Sequence, residues 1–378
     1  MGNHEEMQES PTLESIEVAG TPRGMGESFG EAYRGETHEL YERRLANAIE
    51  QARLNGGRTF GVKDVLSVAG SCLSITEEYD PTGFAEFLGI ARGASLSPEQ
   101  LFVTQGLTDF RDILAFADNV YDGPVVRPDA EGCSSFLVAP DRSQTDGVLA
   151  GQTWDLYTDN MPFIRLVRRR PIDAPETISL TLTGCLSLIG LNSEGIAVGN
   201  TNLCTRDARI GVQYLSIIHR ALRSRSADEA IASITAAPRS AAHYYYVADR
   251  SDNAVGLECS ATRCERFDVS RGILVHCNHS LGETIRELEV PITEESTYAR
   301  QSRLTHLLDD RESPSLNSET LKQALSDGDG GDLAICRYRT GDFDVSTNAA
   351  VVMSPREGAI HACRGQPDRG VWRTELVG

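Results

Sequence analysis

The chain has 378 residues, 40% of them hydrophobic, and 36 Lys and Arg stand against 55 Asp and Glu for a formal net charge of −19. That length suits one large domain or two small ones, with the apolar fraction of an ordinary globular protein. So negative a chain argues against nucleic acid or an anionic membrane as partner, and no apolar run approaches the ~20 residues that cross a bilayer.

Residues 1 to about 15 read as a disordered lead, polar and acidic rather than a signal peptide. Gly20-Thr21-Pro22-Arg23-Gly24-Met25-Gly26 reads as a glycine-rich turn without the endings that cradle phosphate. Four helices follow: Glu27 to about Ala52, Val62–Glu78, Phe84–Ala94, and one capped by Ser97 with Pro98 at its first position. Asn119 to Glu131 is a polar linker carrying Pro and Gly.

At Gly132-Cys133 the texture changes to strands: Ser134–Val138, Val148–Thr153, Ile164–Arg168, Thr177–Thr183, Leu186–Leu191 and Ile196–Asn200. The basic run Arg165 to Arg170 reads as a strand edge or exposed turn. Helices are expected at Gly211–Ser224 and from about Ala227 to Ala236, then a hairpin of His243–Val247 and Ala254–Glu258. Gly272–His276 is a strand, Tyr298–Leu308 and Ser318–Leu325 are helical, and Ala349–Ser354 with Ala359–Cys363 close the chain as a hairpin. Helices first, then two groups of strands separated by helices, indicate a layered α+β class.

The nine cysteines are odd in number and scattered, and no C-x-x-C pair occurs. Neither a zinc site nor a disulfide framework is signalled, and a reducing, cytoplasmic location is expected. Cys133 by itself reads as a small thiol packed at the start of a core strand. His276 and His279 flank Asn278, but with no third ligand at suitable spacing they do not read as a metal site. A Cys133–His dyad is a competing reading.

Several stretches change the reading of Cys133. They are Glu131-Gly132-Cys133-Ser134-Ser135, Gly151-Gln152-Thr153-Trp154-Asp155, Asn192-Ser193-Glu194-Gly195-Ile196, His276-Cys277-Asn278-His279 and Ser296-x-x-x-Arg300-x-x-Arg303. In order and spacing the chain from Gly20 onward resembles the acyl-coenzyme A:6-aminopenicillanate (isopenicillin N) acyltransferase family of N-terminal-nucleophile cysteine hydrolases. It is similar, more remotely, to choloylglycine hydrolase and penicillin V acylase. The resemblance implies a four-layer αββα sandwich with an N-terminal helical segment. It implies self-cleavage between Gly132 and Cys133, with residues 1–132 as a small subunit and 133–378 as the catalytic one.

Cys133 would then be both nucleophile and, through its new α-amine, its own base. An amine of pKa about 7.7–8 beside a thiol of about 8.5 can take the thiol proton at neutral pH. The resemblance makes Asp155 the carboxylate that orients this amine, against the plain reading of a turn Asp. It makes Asn278 an oxyanion donor, against an Asx turn. Asn202 is a second oxyanion donor, with Asn200 an alternative. Arg300 is an active-site arginine, or with Arg303 part of a surface ion pair. No cofactor or metal is implied.

The partners expected are a small-molecule amide or acyl donor, the cleaved fragments of the chain itself as a heterodimer, and, left open, a second copy. Thr153 and Leu156 depart from the residues relatives often carry there, so substrate preference is expected to differ. Hydrolysis of a small N-acyl or amide metabolite is the first functional expectation. Acyl transfer from coenzyme A to an amine is the alternative, and a non-catalytic ligand binder the second alternative.

Overall fold

The computed structural model describes residues 12–56, 58–117, 132–291, 295–309, 315–340 and 344–378. Most of the expected lead, residues 1–11, and all of the expected linker lie outside them; Leu13 is buried and Ser15 already opens a strand. Glycine shapes the first helices. Strand β1 (Ser15–Gly20) runs into helix α1 (Pro22–Ala32), capped by Thr21, whose hydroxyl accepts from the Gly24 N–H. After it come α2 (Arg34–Gly56), α3 (Val62–Tyr79), α4 (Pro81–Ala94) and α5 (Pro98–Phe116).

The glycine-rich stretch is therefore helical from Pro22 onward, not a turn. Its glycines serve close packing. A Cβ on Gly26 or Gly30 would overlap the carbonyl oxygens of Glu86 or Ile90 on α4, and one on Gly89 or Gly93 those of Arg23 or Glu27 on α1. Paired small residues four apart let two helix backbones touch. The Ser97 cap is observed as a full capping box with Gln100.

The remaining elements form two sheets. One has the order β1-β4-β5-β6-β7-β8-β9-β10, with β4 (Ile164–Pro171), β5 (Thr177–Leu182), β6 (Ile189–Asn192), β7 (Ile196–Asn202), β8 (His243–Asp249), β9 (Ala254–Cys259) and β10 (Cys264–Asp268). It is antiparallel except that β1 lies parallel to β4. The other has the order β11-β2-β3-β12-β13-β14, with β2 (Ser135–Val138), β3 (Leu149–Tyr157), β11 (Ile273–His276), β12 (Val345–Ser354), β13 (Ala359–Arg364) and β14 (Arg373–Leu376). Helices α6 (Tyr214–Ala221), α7 (Ala227–Ala236), α8 (Glu283–Arg286), α9 (Ser296–Leu308) and α10 (Ser318–Leu325) complete the chain.

Alternation along the strands sets the layers. On β2 and β12, Phe136, Val138, Ala350 and Val352 pack with Leu304, Leu308, Leu321 and Leu325 of α9 and α10. The intervening Leu137, Ala349, Val351 and Met353 join the large core shared with the eight-stranded sheet and α1–α7. The order is thus helices, sheet, sheet, helices, as the resemblance implies. Gln152 of β3 ties the sheets together. It accepts from Asn200 N (2.9 Å) and donates to Asn200 O (2.7 Å), filling a length of β7 that β6, paired only at Gly190↔Val198 and Leu191↔Ala197, does not reach.

The basic run is neither an edge nor an exposed turn. It lies on β4, between β1 and β5, and Arg165 and Arg169 are buried. Arg169 meets Glu86 of α4 at 2.7 Å, and Arg165 meets Glu36 of α2 at 3.1 Å. Arg168 meets Glu176 and Glu375, and Arg170 meets Glu17 and Glu176, so each arginine of the run faces a carboxylate.

Candidate active site

Gly132 forms an isolated bridge with Asp155 near the end of β3. The Asp155 N–H donates to the Gly132 carbonyl at 2.8 Å, and Thr153 Oγ1 accepts from Ser134 N at 3.1 Å. Cys133 thus enters β2 with its preceding peptide clamped along β3. On the other flank, β11 pairs β2 up to His276↔Ser135, and the chain then turns into the loop bearing Asn278. Asn278 Oδ1 accepts from Cys133 N at 2.8 Å and from Arg300 Nη2 at 2.9 Å. Two donors on one atom identify it as the oxygen. Its Nδ2 donates to the Asn202 carbonyl at 3.0 Å, so the end of β7 reaches the site.

Arg300 comes in from α9 and is buried. It donates to the Cys133 carbonyl (2.6 Å), Ser134 Oγ (3.1 Å) and Ser296 Oγ (3.2 Å), which accounts for the Ser296-to-Arg300 spacing. Cys133, Asp155, Asn278, Asn202 and Arg300 are all buried and brought together. Asn200 turns its amide to the Leu188 carbonyl instead. Arg303, three residues on, pairs with Asp327 at the surface.

Four residues of this region, Asn348, Thr347, Arg337 and Thr297, were not singled out from sequence. A bulge at Asn348 shifts the β12 register opposite β3. Thr347 there exchanges hydrogen bonds with the backbone of Arg337, through its own N–H (3.0 Å) and its Oγ1 (2.9 Å). This seats the buried Arg337 beside Gly132: a Cβ at 132 would lie 2.8 Å from Arg337 Nη1, 3.2 Å from Asp155 Oδ2 and 3.3 Å from Arg300 Cζ. Crowding by this charge cluster is a reason for glycine at 132.

Thr297 Oγ1 accepts from Asn278 N at 2.9 Å and contacts His279 Nδ1 at 2.8 Å. Glu258, expected to be a hairpin-end residue, holds the loop from below. Its carboxylate contacts His276 Nε2 (2.9 Å) and accepts from the N–H groups of Leu281 (2.6 Å) and Gly282 (3.1 Å).

The histidines are occupied by this scaffold. His276 stacks on Tyr244 with ring centroids 3.8 Å apart and faces Glu258 and Thr201. Burial pushes His279 down to about 4, so it is neutral at pH 7. These contacts fit loop support better than a Cys133–His dyad. Among the described residues no cluster of His, Cys, Asp and Glu suits a metal ion, and no helix is long and apolar enough to cross a membrane. A cleft of about 520 Å³ opens beside the loop, lined by His279, Leu281, Arg286, Glu289 and Tyr298.

Asp155 is electrostatically unusual. Neither carboxylate oxygen meets a donor at hydrogen-bond geometry. Burial raises it to about 6, against the pull of Arg300 and Arg337. The nearby hydroxyls of Thr347 and Thr153 also pull it down, so desolvation outweighs every favourable contact the carboxylate has. Such a perturbed acid bridged to the peptide before Cys133 makes this a candidate site of chemistry.

The chain is similar to several known proteins. Acyl-coenzyme A:6-aminopenicillanic-acid-acyltransferase 40 kDa form of Emericella nidulans is 27% identical over 341 residues, spanning 88% of this chain and 87% of that protein. A mutant of the conjugated bile acid hydrolase from Clostridium perfringens is similar in structure, with TM-score 0.44 and 10% identity, over 65% of this chain and 97% of that one. Penicillin V acylase from Agrobacterium tumefaciens gives TM-score 0.41 and 12% identity, over 61% of this chain and 83% of that one. A family model described as acyl-coenzyme A:6-aminopenicillanic acid acyl-transferase matches residues 142–369, more than half of the sequence, and the chain belongs to that family.

Proposed function

We propose that the chain is a self-processing cysteine amidohydrolase with Cys133 as nucleophile. The observation that carries this reading is the clamp on the Gly132–Cys133 peptide. Asp155 N–H holds the Gly132 carbonyl, Asn278 holds the Cys133 nitrogen, and Arg300 holds the Cys133 carbonyl. The thiol sulfur attacks the Gly132 carbonyl carbon, and the oxyanion develops toward the Asp155 N–H. The C–N bond breaks, the nitrogen takes the thiol proton, and a thioester remains. Water hydrolyses it, leaving a carboxyl on Gly132 and a free α-amine on Cys133.

That amine becomes the base for the second reaction. It inherits the hydrogen bond to Asn278 Oδ1, and ionised Asp155 steadies its charged form. An external amide is then attacked, its amine leaves, and water releases the acyl group from Cys133. Asn278 Nδ2 spends one N–H on the Asn202 carbonyl and has a second to offer that oxyanion.

The two fragments, 1–132 and 133–378, stay together as a heterodimer. β1 pairs with β4 along its whole length, and buried links such as Glu86–Arg169 and Asp109–His243 (2.6 Å) cross the cut. Free thiols throughout suit the cytoplasm. A second reading, acyl transfer to an amine, is favoured by the name of the Emericella relative. It shares every step up to the acyl-enzyme.

The test is intact mass under denaturing conditions, wild type beside Cys133→Ala. Two wild-type fragments divided after Gly132, and one full-length mutant chain, are expected. A single full-length mass in both would remove the mechanism. Adding amine acceptors to the processed enzyme with an acyl donor then separates transfer from hydrolysis by the product formed.

A further inference from the structure

Two cysteines outside the site meet. Cys259 ends β9 and Cys264 begins β10, and they stand directly opposite each other in the antiparallel register. Their sulfurs lie 2.8 Å apart. The four residues between them form a tightly fixed turn. Ser260 N donates to Arg263 O (2.9 Å), and Asp207 Oδ2 accepts from Ser260 Oγ (2.8 Å), Thr262 N (3.0 Å) and Thr262 Oγ1 (2.6 Å). The thiols therefore do not have to find each other. Cys264 is partly exposed on the edge strand, whereas Cys259 is enclosed.

We infer that Cys259 and Cys264 are a dithiol modification site, closed to a disulfide by hydrogen peroxide. The outer thiol reacts first: Cys264 attacks the peroxide oxygen, giving a sulfenic acid and water. Cys259 then attacks the Cys264 sulfur, the S–O bond breaks, and a second water leaves. The two thiols lose two electrons and the peroxide gains them. Hydrogen bonding to Cys259, with help from Arg239 nearby, brings the Cys264 thiol down to about 7, so the attacking thiolate is populated at neutral pH.

The position gives this bond a consequence. Glu258, the residue before Cys259, accepts from the amides of Leu281 and Gly282 in the loop that bears Asn278. Glu265, the residue after Cys264, accepts from Thr284 N at 2.9 Å at the start of α8. A covalent bond between residues 259 and 264 stiffens both anchors of that loop.

The experiment uses the full chain carrying Cys133→Ala, so that the nucleophile cannot react. It is exposed to dilute hydrogen peroxide, alkylated and mapped by mass. Expected are a loss of about 2 Da and a peptide linking residues 259 and 264, both reversed by dithiothreitol and absent in Cys264→Ser. Amide hydrogen exchange over residues 277–282 should slow several-fold in the oxidised chain. Sulfinic acid at Cys264 with Cys259 still reduced, or no change at either residue, overturns the inference. Unchanged exchange overturns the coupling to the loop. The linked peptide in the Cys133→Ala chain is decisive even if the serine variant folds poorly.

Discussion

Glu86 and Asp155 are both enclosed carboxylates with arginines nearby, and the protein treats them in opposite ways. Glu86 touches its partners: Arg169 Nε at 2.7 Å and His219 Nε2 at 3.3 Å. Burial works against its charge, but His219 and Arg169 hold it at about 2. Burial also pushes His219 below its ordinary value, so Arg169 is the compensating charge at neutral pH. Asp155 has Arg300, Arg337 and the hydroxyls of Thr347 and Thr153 near it but no arginine bonded to it, and burial raises it to about 6. The arginine beside Glu86 is spent on the carboxylate. Arg300 is spent on the Cys133 carbonyl, Ser134 and Asn278. One carboxylate holds α4 to β4; the other is left with charge to give.

Removing charge from each should move stability in opposite directions. Glu86→Gln strands the buried Arg169, and breaking such a pair costs about 3–5 kcal/mol. The melting temperature should fall at pH 7 while the cut after Gly132 still occurs. A lowered carboxylate stabilises above its unfolded value near 4.5, and that benefit fades as pH drops toward about 2. The deficit of the variant should shrink over the same interval. An undiminished melting temperature at pH 7 would mean that the Arg169–Glu86 contact adds nothing.

Asp155→Asn should do the reverse. A rise from 3.8 to about 6 means the folded chain holds the proton more tightly than the unfolded one. Stability therefore drops as pH climbs through that window and stays reduced above it, by about 3 kcal/mol at 1.36 kcal/mol per unit. In the uncut Cys133→Ala chain, which has no α-amine at residue 133, adding Asp155→Asn should raise the melting temperature at pH 7 and leave it unchanged near pH 4. Activity of the cut enzyme should be lost, because the Cys133 amine loses its counter-charge. A variant less stable at pH 7, or fully active, would make Asp155 an ordinary structural acid.

The difference between these two carboxylates also measures how far the sequence can be read. Asp155, Asn278 and Arg300 stood in short motifs whose order was readable, while Asn202 lay beyond them with Asn200 as its alternative; the fold gathers Asp155, Asn278, Arg300 and Asn202 at Cys133. Glu86 and Arg169 gave no such sign, because an ion pair 83 residues apart depends on which helix covers which strand. Arg337 was hidden for a related reason. Its backbone is pinned by Thr347, beside a bulge at Asn348 that an alternating strand pattern does not reveal. The glycines at 24 and 26 were misread as a turn because glycine serves turns and close helix contacts equally well. The matching spacing of Gly26–Gly30 and Gly89–Gly93 was the available signal. Cys259 and Cys264 escaped because they read as scattered residues until the hairpin turn brings them opposite.

The same contrast recurs within one turn of α9 and gives the smallest effect. Arg300 faces inward with four polar contacts, whereas Arg303 faces water and meets Asp327 at 2.6 Å and Asp329 at 3.0 Å. An exposed pair in high dielectric is screened by salt and offset by side-chain entropy. Arg303→Ala should therefore leave the cut and the catalytic rate intact, with a slight drop in melting temperature that disappears as salt rises. Arg300→Lys keeps the charge but loses the planar fork that reaches Cys133 O, Ser134 Oγ and Asn278 Oδ1 together. Its cut should be slow at every salt concentration, since burial removes the site from screening. Equal salt dependence in the two variants would show that Arg300 acts through charge alone, and the geometric argument for the clamp on Cys133 would fail.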